Sequence, residues 1–160
     1  MIDQGSQVTI ATSGAWGISS AGDLMALSTP MESGETLKTI LLVDDSPGIR
    51  EVAAELLRGS GYRVLEAASA AEALALAEKQ GCIDLMITDI EMKGMSGTDL
   101  GAAIAKARPG IEILYVSGYP NEYSSETREQ ERAVFLQKPF TAPALLSTIG
   151  RLLNNIAPAR

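Results

Sequence analysis

Thr39-Ile40-Leu41-Leu42-Val43-Asp44-Asp45-Ser46-Pro47 reads as a buried strand that runs directly into a helix. Thr39–Val43 is a continuous uncharged, mostly aliphatic run, the pattern of a strand covered on both faces. Ser46 supplies an N-cap and Pro47 fits the first helical position, where the missing N–H costs nothing. Ile49, Val52, Ala53, Leu56 and Leu57 follow at helical spacing, and Gly59 and Gly61 close the helix. An apolar strand covered on both faces belongs inside a parallel sheet, so the remainder of the chain should alternate strand and helix.

It does. Arg63–Ala67 alternates polar and apolar residues, as a half-exposed edge strand would. Ser69 and Glu72 form a capping box ahead of Ala73, Leu74 and Ala77, with Gly81 ending that helix. Residues 85–88 are a third strand. Ser96 and Asp99 repeat the capping box before Leu100, Ala103, Ile104 and Ala107, and Pro109-Gly110 stops the helix. Residues 111–116 and 133–137 are strands four and five, and Thr141 caps a last helix striped by Leu145, Ile149, Leu152 and Leu153. Between strands four and five, residues 121–132 hold Glu122, Glu126, Arg128, Glu129, Glu131 and Arg132 with almost no apolar stripe. This is a weak fourth helix, or a mobile loop, among five flanking helices. Right-handed crossovers place the helices on both faces of a five-stranded parallel sheet. With the weakest strand second, the doubly wound, flavodoxin-like α/β order 2-1-3-4-5 fits. Ligands of that fold bind beyond the carboxyl ends of strands one and three, where the strand order reverses.

Composition narrows the function. At 160 residues the chain supports one domain with a real core. Its net charge of −7 argues against nucleic acid or an anionic membrane as a direct partner. Histidine is absent, which removes His-based metal sites, triads and phosphohistidine chemistry from this chain. The single cysteine, Cys82, excludes an internal disulfide and a multi-cysteine zinc site, and reads as a small residue packed before a strand. Residues 1–37 are rich in Ser, Gly and Thr, and the first basic residue is Lys38. They lack the positive region and apolar run of a secretory signal, and read as a flexible leader or linker ahead of a domain over 38–155 and a tail over 156–160. No run approaches the ~20 apolar residues of a membrane span, so a cytoplasmic protein is expected.

Asp44, Asp45, Asp89, Ser117 and Lys138 all fall at the carboxyl ends of expected strands. Singly, each has an ordinary role: Asp44 or Ser46 as a helix cap, Asp89 as a turn residue, Ser117-Gly118 as a loop, Lys138 as a solvated charge. Together they form a complementary set. Crowded carboxylates repel unless a cation neutralises them. Hard oxygen ligands at an open, partly hydrated rim suit Mg2+, and a metal-bridged carboxylate is a competent nucleophile toward phosphorus. Ser117 can donate to one phosphoryl oxygen and Lys138 can offer a point charge to another. Pro139 restrains Lys138 to extended geometry and sets its direction, a cis bond being one way to do so.

These motifs resemble the receiver domain of two-component response regulators, most closely the receivers at the ends of hybrid sensor kinases. Leu-Leu-Val-Asp-Asp (41–45) looks like the acidic pair. Asp-Leu-Met-Ile-Thr-Asp-Ile-Glu-Met (84–92) with Gly-Met-Ser-Gly (94–97) looks like the phosphoacceptor loop, and Lys-Pro-Phe (138–140) like the lysine motif. The resemblance implies that Asp89 is phosphorylated by a sensor histidine kinase or histidine phosphotransfer protein. It implies that Asp45, Asp89 and the backbone carbonyl of Glu91 coordinate Mg2+, with Asp44 acting through metal-bound water. Ser117 matches the switch hydroxyl and Phe135 the aromatic switch position. The region of the weak helix corresponds to a partner or homodimer surface. Lys93 stands where the family usually has proline, which is expected to loosen the loop or alter the charge a partner meets. Such a module catalyses its own phosphorylation and dephosphorylation and is not a turnover enzyme. Two other readings are a Mg2+-dependent phosphohydrolase with Glu91 as second acid, and a receiver-like scaffold that works without phosphorylation.

Overall fold

Strand β1 (Thr39–Val43) is buried at every position and occupies the middle of the sheet. In the computed structural model, which describes residues 37–119 and 133–154, it pairs in parallel with β2 (Arg63–Ala67) on one side and β3 (Leu85–Asp89) on the other. Beyond β3 lie β4 (Glu112–Ser117) and β5 (Val134–Gln137), also parallel, giving the order β2-β1-β3-β4-β5. This is the expected topology. Four helices are described: α1 (Pro47–Gly59), α2 (Ala70–Lys79), α3 (Gly97–Ala107) and α4 (Ala142–Asn154). The expected weak helix over 121–132 lies outside the described residues, as do residues 1–36 and 155–160.

Alternation along the strands feeds two cores. Ile40, Leu42, Leu85, Ile87, Leu114 and Val116 face α1 and α4, meeting Ala53, Leu57, Leu145 and Ile149. Leu41, Val43, Met86, Ile113 and Tyr115 face α2 and α3, meeting Ala73, Ala77, Leu100 and Ile104. Each apolar run is long because each strand must satisfy both faces. Edge strand β2 is only partly buried, matching its alternating sequence.

The helix ends show where local signals worked. Gly61, at φ 87°, follows α1 in a left-handed cap: Tyr62 N–H donates to Leu57 O and Gly61 N–H to Arg58 O. Ser69 and Ser96 cap α2 and α3, accepting from the Glu72 and Asp99 amides. The return bond of the first box goes from the Ala68 amide to Glu72, and in the second the Ser96 hydroxyl donates to Asp99. Thr141 Oγ1 accepts from the Ala144 amide at the start of α4.

Three expectations need correction. Ser46 is the N-cap of α1, but its side chain makes no capping bond. Gly81 does not close α2, which stops at Lys79 with Gln80 extended; Arg108 donates to the freed carbonyls of Ala77, Gln80 and Gly81 instead. Cys82 is exposed rather than packed.

Candidate functional site

β1 and β3 are neighbours whose following helices leave to opposite faces, which opens a crevice above their carboxyl ends. Asp44 and Asp45 follow β1 directly, and Asp89 is the last residue of β3, one position longer than the sequence suggests. Ser117 likewise ends β4, and Lys138 follows β5. The rim therefore brings the expected residues to one end of the sheet.

The central contact is an ion pair. Lys138 Nζ donates to Asp89 Oδ2 at 2.7 Å, with the side chains 15% and 10% exposed. The backbone N–H of Lys138 donates to Ser117 O (2.8 Å), which holds the lysine beside the end of β4; the Lys138–Pro139 bond is cis. Asp89 Oδ1 accepts the Glu91 amide at 3.0 Å. Asp44 is 1% exposed; its Oδ1 accepts the Ser46 amide at 2.8 Å, while Oδ2 is buried with no hydrogen-bond partner among the described residues. Burial pushes the Asp44 carboxyl up, and the negative charges of Asp89 and Asp45 push it further. The Ser46 amide and the Lys138 ammonium pull it back only in part. Asp45 Oδ2 accepts the Lys93 amide at 3.1 Å. This bond ties the loop to the end of β1, so in this respect Lys93 does not loosen it.

A desolvated carboxylate with an orphaned oxygen, beside two further carboxylates and the Lys138 ammonium, is a donor set that fits a hard divalent cation. Among the described residues, no three acidic side chains already stand together in metal-ligating positions. Asp89 has one hydrogen bond on each oxygen, Oδ1 from the Glu91 amide and Oδ2 from Lys138, and each oxygen keeps a further lone pair that a cation could take.

Ser117 is fully buried, and its Oγ accepts the Tyr119 amide at 3.0 Å. Phe135 pairs with Tyr115 across β4 and β5, and their rings stack with centroids 5.1 Å apart. Phe135 is thus on the α2–α3 face, packed beside a tyrosine buried to 0% exposure.

Three residues at the site were not singled out by sequence. Arg50, on α1, donates to Asp44 O at 2.7 Å and lies near Glu66, which also binds Arg58. Gly97, the first residue of α3, lies so close to the end of β3 that a Cβ would fall on Asp89 O and within 2.8 Å of Ile90 Cα. Gly101 similarly leaves the notch occupied by the Tyr115 phenol. A glycine directly after a capping serine was the one available hint for Gly97; Arg50 sits at an ordinary polar helix position and offers none.

Residues 40–150 match the response regulator receiver domain family. The chain belongs to this family. It is 34% identical over 118 residues to the sensor kinase CckA of Brucella abortus, covering 72% of this chain. It spans 12% of that kinase and 27% of the next curated relatives it matches, so each match is to part of a longer protein. A CheY-like receiver domain protein from Methanospirillum hungatei shares 34% identity and a TM-score of 0.67, over 74% of this chain and 95% of that one. The response regulator TrrA of Thermotoga maritima, solved in complex with Mg2+-BeF, shares 33% identity and a TM-score of 0.66, over 73% of this chain and all of that one (100%). The receiver family is a signalling module of two-component systems rather than a classical enzyme. No helix among the described residues is long and apolar enough to cross a membrane.

Proposed function

We propose that this receiver domain, over residues 38–155, accepts a phosphoryl group on Asp89 from a phosphohistidine of a sensor kinase or histidine phosphotransfer protein. The observation that carries the reading is the 2.7 Å contact between Lys138 and Asp89, made at the rim that also holds Asp44 and Asp45. A carboxylate oxygen of Asp89 forms the P–O bond as the P–N bond to the partner's imidazole breaks, and the imidazole leaves with the bonding pair. The Lys138 ammonium is placed to accompany the negative charge that arrives with the phosphoryl oxygens. Asp44, Asp45, Asp89 and the Glu91 carbonyl are the residues that would hold Mg2+, which supplies charge neutralisation for the incoming group. The Mg2+-BeF complex of the related TrrA supports that choice of ion.

The same carboxylates support reversal: with water as nucleophile the aspartyl phosphate returns to Asp89 and inorganic phosphate. Between these events Ser117 and Phe135 carry the change of state, Ser117 by donating its hydroxyl to a phosphoryl oxygen and Phe135 by moving within its contact with Tyr115. The surface so altered binds a partner protein or a second copy, and neither a nucleic acid nor a membrane is expected as direct partner at a net charge of −7.

Exposure to a small phosphodonor with Mg2+, followed by intact-mass measurement, tests the assignment. One base-labile phosphoryl group should appear on the wild type and none on Asp89→Asn. Undiminished labelling of that variant refutes the role of Asp89. Turnover of a generic phosphate ester would instead favour the phosphohydrolase reading.

A further inference from the structure

Each of the three rim carboxylates has one oxygen held by a backbone amide, but the three donors are not equivalent. Asp44 takes the amide of Ser46 and Asp89 that of Glu91, each two residues along its own turn. Such bonds form wherever an aspartate begins a turn, and they follow from local sequence. Asp45 instead takes the amide of Lys93, 48 positions away, in the loop between β3 and α3. This bond exists only once β1 and β3 are paired, and only because residue 93 has an N–H to give.

We propose that the Lys93 backbone amide is the positioning group for Asp45, holding Oδ2 so that Oδ1 is presented to the cation. The inference rests on the reading of Asp45 as a metal ligand. A carboxylate with one oxygen pinned by a charge-assisted bond loses less rotamer freedom when the ion arrives. Hydrogen-bond partners of ligating carboxylates typically contribute about 10–100-fold to metal affinity. Asp45 is only partly buried, and among the described residues the Lys93 amide is the backbone donor that restrains it. The bond also links the acidic pair to the loop that follows Asp89, so a cation seated on Asp45 steadies that loop through the main chain.

Two substitutions separate main chain from side chain. Lys93→Pro removes the donor, whereas Lys93→Ala keeps the N–H and removes only the ammonium. Mg2+ affinity of the full chain is read from backbone amide shifts during titration. Lys93→Pro should bind Mg2+ about 10-fold or more weakly than Lys93→Ala. Equal affinities in the two variants overturn the inference. Asp45→Ala separates this outcome from failure of the underlying reading: wild-type affinity in that variant removes Asp45 from the metal site altogether, and the inference falls with it. A second measurement needs no proline. In the metal-free wild type the Lys93 amide should exchange with solvent about 10-fold slower than in Asp45→Ala, and an unchanged exchange rate also overturns the inference.

Discussion

Lys138 Nζ and Asp89 Oδ2 meet at 2.7 Å although 49 residues separate them, one following β5 and the other ending β3. The strand that lies between, β4, fixes the pairing: Asp89 is in register with Val116, and the Lys138 amide donates to Ser117 O. The ammonium thus stands on Asp89, at the rim where the negative charges of Asp44 and Asp45 also lie.

Lys138→Met keeps the bulk of the stem and removes that cation. With both side chains largely buried, the loss should destabilise the metal-free protein by about 1–3 kcal/mol, read from urea unfolding. Phosphorylation by a small phosphodonor should slow on the order of 100-fold, as when one preorganised charge is removed from a transition state. A variant that unfolds like wild type and labels at the wild-type rate would exclude both roles.

Asp44 sets a pH dependence. Its carboxyl is raised by burial, so the folded protein binds that proton more tightly than the unfolded chain does. The charged form therefore costs stability at neutral pH, and the cost is relieved as pH falls through the folded value toward the ordinary carboxylate range. Asp44→Asn should melt at higher temperature than wild type at pH 7 without Mg2+, and the difference should shrink toward acid. Mg2+ should stabilise wild type more than the variant, because part of what the ion relieves has been removed. Melting curves across pH, with and without Mg2+, check all three expectations.

Gly97→Ala should be costly although it only adds a methyl group. The new Cβ would collide with the Asp89 carbonyl, which is backbone and has no rotamer to yield. About 1–3 kcal/mol of stability should be lost, and labelling of Asp89 should slow because its strand end must shift. Unaltered unfolding would show that α3 moves freely away from the end of β3.

Ser117→Ala removes a buried hydroxyl that accepts the Tyr119 amide. The stability cost should be modest, about 0.5–1.5 kcal/mol, and Mg2+ affinity should be unchanged. On addition of beryllofluoride the ring of Phe135 should change its environment in wild type and change much less in the variant. Aromatic NMR shifts report this; equal shifts in both proteins would detach Phe135 from Ser117.

The five strands, the four described helices, the sheet order and the rim positions were legible in the chain. A strand that must satisfy two faces has to be apolar without interruption, as Thr39–Val43 is, and a half-covered edge has to alternate, as Arg63–Ala67 does. Right-handed crossovers with the alternating strand second fit the order 2-1-3-4-5, and in a parallel sheet the strand ends that carry Asp44, Asp45, Asp89, Ser117 and Lys138 all lie at the same end. These signals lie within single elements, so neighbouring residues are enough to encode them.

Only the assembled structure decided which atoms meet. Ser46 could cap a helix, yet its hydroxyl makes no capping bond and its amide serves Asp44. Arg50 on the Asp44 carbonyl and Gly97 against the Asp89 carbonyl depend on how each helix leaves its strand, and the Lys93 amide on Asp45 depends on the pairing of β1 with β3. A backbone amide leaves no trace in residue type except where proline removes it. Side-chain partners across 48 residues are set by the packing of two faces and not by any local preference.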